Sequence, residues 1–388
     1  MSVTLRHKQL TRNLRLIKLE AIVTCFILGA VMTIYLQSKG FTIGQIILTH
    51  VVHVAAGLAA NVPSGYLADR TSRKACNLTG DALAAVGIAL FAISDDMTEV
   101  VIVRIIIGVG LAFSLGADAT LMEAVCEQLG EKEKFAKYQA TTMSIRTILM
   151  VLGGLGVGFL VTKNPSLAML LAAVPYAAGG IISCFIKEVK APGERETKSL
   201  KGALHLSWSD KRIRWLIATG SITGIIAGLI QDLSVPLVTT AGYSVTIASF
   251  AWSGYFAAWS IGVELYKTAI KTWTQRRLLM FPIGVLLGSL GVLAVDINRW
   301  TVAVMLLLGL AHGWLAPHLS AAVGELAPSE IRATIRSINM TVIQITYIVS
   351  ATLLAPIANV GMGVAMIASF ALFALPCIIA SRKLLRLV

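Results

Sequence analysis

Residues 65–74 read GYLADRTSRK, three cations and one carboxylate in a ten-residue stretch set between long apolar runs. Such a cluster between greasy segments reads as a short hairpin at a membrane surface, and the rest of the chain agrees. The protein has 388 residues, 56% hydrophobic and only 14% charged, with a mean hydropathy of +0.78. A soluble domain is about 25% charged, and a membrane-spanning helix needs roughly 20 mostly apolar residues. Lipid offers no partner for backbone N–H and C=O groups, so only helices or closed barrels cross it. The apolar runs lack the period-two alternation of barrel strands. The chain therefore reads as an all-α integral membrane protein.

Working outward from the hairpin gives twelve transmembrane helices. They lie near 16–37, 43–66, 75–94, 100–125, 138–161 and 167–186, then 213–238, 245–265, 278–295, 300–323, 337–358 and 361–381. With the N-terminus inside, 28 of the 33 Lys and Arg fall on the inner face and three on the outer. That asymmetry predicts cytoplasmic termini and accounts for the net charge of +13 through topology and lipid headgroups rather than nucleic acid. The first apolar run is longer than a signal-peptide core and lacks a small-residue cleavage pattern, so it reads as a span. The five cysteines (Cys25, Cys76, Cys126, Cys184, Cys377) have no metal-ligand spacing and read as packing residues on a reducing side.

Residues 187–212 form the one extended polar connection. They divide the chain into a six-helix bundle over 1–186, a cytoplasmic linker, and a second bundle over 213–388. The halves look repeated. SKGFTIG at 38–44 parallels TAGYSVT at 240–246, aligning Gly40 with Gly242. GVGLAFSLGA at 108–117 parallels LGLAHGWLAP at 308–317, aligning Gly110 with Gly309. Glu127 with Lys134 parallels Glu325 with Arg332. Two parallel six-helix bundles suit alternating access about a central site.

GYLADRTSRK resembles the loop signature of the major facilitator superfamily, Gly-x-Leu-Ala-Asp-Arg-x-Gly-Arg-Lys, in the expected place between spans two and three. RIIIGVG from Arg104 is similar to the family's span-four arginine motif, and ELAPSEIRAT at 325–334 to its acidic-to-arginine signature. The resemblance implies a fold of two pseudo-symmetric six-helix bundles. It also implies a gating cluster of Gly65, Asp69, Arg70, Arg73, Lys74, Glu325 and Arg332. Its nearest likeness is to the drug-efflux, proton-antiporter branch, in the inner membrane of a bacterium. Two departures stand out. Ser72 occupies a glycine position, where a positive φ would favour glycine. LGGLGVGF in span five lacks that branch's Gly-Pro step.

Ionisable residues inside a membrane are costly, about 2.5–3.5 kcal/mol at a helix centre on insertion scales, and so invite functional readings. Cavity or proton-coupling candidates are Glu20, Arg104, Asp118, Glu123, Arg146, Asp232 and His312. Arg146 needs a partner at its depth, and Asp118 or Glu123 supplies one. Asp232 lies in the outer half of span seven, and His312 titrates near neutrality when unperturbed. Asp81 reads as a structural pair on a peripheral helix. His50 and His53, one turn apart, lack further metal ligands. No phosphate-binding Gly-x-x-x-x-Gly-Lys-Ser/Thr loop is present, and no Ser/His/Asp or zinc constellation suggests an enzyme or a cofactor.

The expected function is secondary active transport by alternating access, with proton-coupled export of small amphipathic molecules such as drugs, siderophore-like metabolites or lipid-like solutes. The expected partners are that solute, protons and membrane lipids, with the protein a monomer. Rival readings are a proton symporter or passive facilitator importing a solute, and a non-transporting sensor or lipid enzyme.

Overall fold

A computed structural model of the protein describes residues 3–24, 28–188, 200–326 and 332–387. No strand occurs among the described residues. The helices in order are α1 (Val3–Val23), α2 (Leu28–Ser38), α3 (Ile43–Arg70), α4 (Arg73–Phe91), α5 (Met97–Gln128), α6 (Phe135–Val161) and α7 (Pro165–Phe185). Then follow α8 (Leu200–Ser209), α9 (Lys211–Thr240), α10 (Val245–Ala269), α11 (Gln275–Val295), α12 (Thr301–Leu326), α13 (Arg332–Val360) and α14 (Met362–Leu385). Ten of them, α3–α7, α9 and α11–α14, are long and apolar enough to cross a membrane. Helix α10 has 25 residues, about 37 Å at 1.5 Å per residue. With α1 and α2 forming the first span in two pieces, the architecture is a twelve-span, all-α membrane fold.

Local chemistry explains the helix starts. Asp96 accepts hydrogen bonds from the Thr98 and Glu99 amides to cap α5, and Asn164 caps α7 ahead of Pro165 at its first turn. Asp210, Ser244 and Thr274 cap α9, α10 and α11 in the same way. Each side-chain oxygen satisfies an amide that the helix itself leaves unpaired. Gly40 and Gly242, aligned in the repeat, both take positive φ, 83° and 86°, just past the ends of α2 and α9. Only glycine adopts that conformation without strain.

The first span differs from expectation. In place of a single helix over 16–37, α1 begins at Val3 and ends at Val23, with a bend at Thr24. The Thr24 carbonyl, which a continuing helix would offer to an amide one turn on, accepts from Arg146 Nη2 at 2.8 Å. The 187–212 linker contains the ten-residue helix α8. Residues 189–199 of that linker, Cys25 in the first span, and residues 327–331 of the 325–334 signature lie outside the described residues.

The chain divides into two compact units, one of Met1–Lys39 with Thr49–Glu194, the other of Gly40–Leu48 with Arg195–Val388. In the first, α4 lies against α5 at Gly80 and Gly110. A Cβ on Gly110 would sit 2.8 Å from the Ala84 amide nitrogen, and one on Gly80 would run into the Ser114 backbone. In the second, α10 and α12 cross at Gly262, Gly309 and Gly313, where a Cβ would strike the Leu310, Tyr255 and Trp259 carbonyls respectively. Gly108 in α5 makes the matching approach to the His53 carbonyl in α3. By packing, then, Gly309 corresponds to Gly108 and Tyr255 to His53. The sequence alignment of Gly110 with Gly309 is two residues out of register.

Candidate functional site

Three carboxylates meet inside the first unit. Glu20 comes from α1, Asp81 from α4 and Asp118 from α5, with exposures of 0%, 0% and 8%. Glu20 lies within hydrogen-bonding reach of both Asp118 and Asp81. No amide or hydroxyl of the described residues donates to either Glu20 oxygen. Arg146 on α6, tied to the Thr24 carbonyl, faces Asp81 and Asp118 as the guanidinium of the group among the described residues. The tight crossing of α4 and α5 at Gly80 and Gly110 sets Asp81 opposite Ser114. Gly179 of α7 leaves room for the same side chain, since a Cβ there would lie 3.1 Å from Asp81 Oδ2.

A hydrogen-bonded chain runs outward from this cluster. Ser114 Oγ lies 2.7 Å from Asp81 Oδ1 and 3.0 Å from Asn77 Oδ1. Asn77 Nδ2 in turn donates to Ser183 Oγ on α7 at 3.2 Å. All four residues are at most 2% exposed. Asp81, expected to be a structural pair on a peripheral helix, instead lies at the centre of this group. The side of a helix that faces its bundle is fixed by neighbours far along the chain, which composition does not reveal. Of the expected partners for Arg146, Asp118 faces it. Glu123, further along α5, is half-buried.

The other candidates are spread more widely. Arg104 is 6% exposed; its Nη1 donates to Met32 Sδ at 3.1 Å and its guanidinium lies 5.2 Å from the Phe91 ring centre. His50 and His53 stack with ring centres 5.6 Å apart. In the second unit, Tyr347 of α13 donates to Asp232 of α9, and Tyr255 of α10 bonds His312 Nδ1 of α12 at 3.1 Å. Gln231, next to Asp232, faces the Tyr255 hydroxyl. The two tyrosines are buried, while Gln231, Asp232 and His312 are half-buried. Neither tyrosine stands out in the sequence.

The loop between α3 and α4 departs from the expected turn. Ser72 has φ −154°, extended backbone, and caps α4 by accepting from the Ala75 amide. The positive φ expected there is absent. The Ser72 hydroxyl also bonds Glu188, whose carboxylate accepts from the Arg73 and Lys74 amides at 3.2 and 3.3 Å. An anion at a helix N-terminus is favourably placed. Lys74 Nζ donates to the Cys184 carbonyl at 2.7 Å, and Asn13 holds Lys187 through both its amide groups. The first residues after α7 are thus fastened to α1 through Lys187 and to the loop through Glu188. Arg73 reaches the Thr120 carbonyl at 3.5 Å, and Arg70 lies over the Tyr66 ring. Gly65 is not closely packed, as no atom lies within 4 Å of a Cβ built there. The side chains of Asp69, Glu325 and Arg332 lie outside the described residues. Glu127 pairs with Lys132 at 3.1 Å rather than with Lys134, which pairs with Glu131 at 2.8 Å.

Ser72→Ala is expected to lower stability by about 1 kcal/mol, the usual worth of a lost N-cap. Ser72→Gly should cost only a few tenths of a kcal/mol in the cap but release the Glu188 contact. Thermal unfolding of the two variants in detergent checks both values; a Ser72→Gly protein more stable than the parent would contradict the cap.

Comparisons with known proteins agree with this architecture. The family model described as Major Facilitator Superfamily matches residues 21–351. The uncharacterized MFS-type transporter YxaM of Bacillus subtilis (strain 168) is 26% identical over 230 residues, and the match spans 56% of each chain. Among solved structures, the nucleoside transporter NupG superposes with a TM-score of 0.76 at 12% identity, covering 97% of this chain and 98% of that one. A bacterial homolog of the human lysosomal transporter Spinster, inward-facing and unoccupied, gives 0.74 at 11% identity over 98% of each. A D-xylose-proton symporter gives 0.68 at 11% identity, covering 96% and 97%. At these identities the likeness is one of fold.

Proposed function

The chain belongs to the Major Facilitator Superfamily, and from that premise we propose that it is a proton-coupled secondary transporter moving small amphipathic organic molecules by alternating access. The observation that carries the proton coupling is the cluster of Glu20, Asp81 and Asp118, buried around the single guanidinium of Arg146. Carboxylates in mutual contact cannot all ionise, so they bind protons as a group. Arg146 competes with those protons for the same charge. A conformational change that moves Arg146 toward or away from the cluster releases or captures them. Proton binding and the exposure of the site then become linked equilibria.

In this reading Asp232, Gln231 and His312, braced by Tyr347 and Tyr255, serve the solute. The loop cations and Asp69 act as the latch of the gate. The protein is a monomer of the bacterial inner membrane with both termini cytoplasmic, in keeping with the distribution of Lys and Arg. Export follows the likeness to the efflux branch. A symporter would use the same carboxylates, and the sign of proton movement separates the two.

The test uses purified protein in liposomes holding a pH-sensitive dye, with drugs, siderophores, nucleosides, sugars and lysolipids supplied from outside. An exchanger moves protons against the solute's direction and a symporter with it. No solute-dependent proton flux for any class would remove the proposal. In the same assay Asp69→Asn should slow turnover about tenfold, the effect of a latch worth about 1.4 kcal/mol, with insertion unchanged.

A further inference from the structure

The hydrogens in the carboxylate cluster can be counted. Glu20 enters from α1, completely buried, with no donor on either oxygen among the described residues. It is aimed at two other carboxyl groups, Asp118 and Asp81. Two carboxyl groups in contact hydrogen-bond only through a proton that one of them carries. The contact of Glu20 with Asp118 therefore requires one proton.

The second count comes from Ser114. Its single hydroxyl hydrogen faces two acceptors, Asp81 Oδ1 and Asn77 Oδ1. The orientation of Asn77 decides between them. Its amide nitrogen donates to Ser183 Oγ and also faces Asp118. Turning the amide over would set its carbonyl against the Asp118 carboxylate and leave two acceptors opposed. With the nitrogen held there, Asn77 Oδ1 points at Ser114 and takes its hydrogen. The 2.7 Å contact between Ser114 and Asp81 then needs a hydrogen from Asp81.

We infer that the cluster stores two protons in this state, one on Glu20 and one on Asp81, with Asp118 ionised opposite Arg146, and that the Ser114–Asn77–Ser183 chain assigns the second proton to Asp81. Charge balance leads independently to the same number. One carboxylate and one guanidinium leave a buried cluster neutral, whereas three carboxylates would leave two uncompensated charges in a medium that penalises them heavily. The groups facing Asp81 are Glu20 from α1, Asp118 and Ser114 from α5 and Arg146 from α6. From α7, which packs on α4, come the Gly179 backbone and Ser183, the latter reached through Asn77. Loss of the Asp81 proton lets Ser114 turn its hydrogen to Asp81, which deprives Asn77 of its donor. Ser114 and Asn77 thus act as positioning residues that carry the protonation state of α4 to α7.

The inference rests on the proton-coupling proposal for its purpose but is tested without transport. Infrared spectra of the purified full-length protein near neutral pH should show carboxylic-acid C=O bands from two buried groups. Glu20→Gln should remove one and Asp81→Asn the other. Ser114→Ala should shift the Asp81 band as its acceptor is lost, and Ser114→Thr should restore it. This pair of milder variants keeps the test decisive if a carboxylate variant does not fold. Two bands remaining in Glu20→Gln or in Asp81→Asn, or an Asp81 band unmoved by Ser114→Ala, overturns the assignment. Two bands in a protein that shows no proton flux would uphold the proton count and remove the transport reading.

Discussion

Glu20→Gln abolishes solute accumulation driven by a pH gradient while leaving downhill exchange measurable. Glutamine keeps the shape of the side chain and a donor toward Asp118, so the cluster remains packed in its protonated form. What is lost is the ability to release the proton. A transporter whose proton cannot leave still changes conformation with its solute but no longer ties that change to the gradient. Asp81→Asn behaves in the same way, because its amide can donate to Ser114 permanently. Asp118→Asn differs: it removes the counter-charge of Arg146 and so should impair folding as well as transport, since an unpaired buried charge costs several kcal/mol. The measurement is accumulation in liposomes with an imposed pH gradient, beside exchange without one. Full gradient-driven accumulation by both Glu20→Gln and Asp81→Asn would sink the coupling role of the cluster. The alternative assigned to Asp232 would then be tested by Asp232→Asn in the same assay.

Gly80→Val has the second large effect, on folding rather than coupling. A Cβ at residue 80 would overlap the Ser114 backbone nitrogen and lie 2.6 Å from the Gly110 carbonyl oxygen. Those are backbone atoms of α5 and cannot turn aside as a side-chain end could. Overpacking usually costs about 1–3 kcal/mol where side chains adjust, so a clash with backbone should reach or exceed the upper end. The displacement also separates Asp81 from Ser114, so even the folded fraction should lose the proton relay. Thermal unfolding in detergent and yield of inserted protein measure the first effect, and the infrared band of Asp81 the second. A Gly80→Val protein with unchanged thermal stability would show that α4 and α5 do not meet so closely.

Much of the fold is legible in one dimension because the solvent imposes it. A lipid environment forces apolar runs into helices, so GYLADRTSRK could be read as a hairpin without knowledge of any contact. Gly40 and Gly242 could be aligned in the sequence, and the structure gives a local reason for both: a helix that stops needs a residue tolerant of positive φ. The bond from Arg146 to the Thr24 carbonyl, at the break between α1 and α2, was not legible, since it joins residues 122 positions apart. Nor was the role of Ser72, whose partner Glu188 lies 116 positions away.

The candidate site divides along the same line. Residue type and depth sufficed to mark Glu20, Asp118 and Arg146, because an ionisable group among apolar neighbours is anomalous wherever its helix faces. The same signal misplaced Asp81 and passed over Ser114, Asn77 and the tyrosines that hold Asp232 and His312. Serine, asparagine and tyrosine carry little cost in a span and leave no anomaly in the sequence. Membrane and helices followed from the sequence alone, since each depends on composition or local backbone conformation. The union of three carboxylates around one guanidinium was decided only by tertiary structure, since the rotation of each helix about its axis depends on glycine contacts between distant segments.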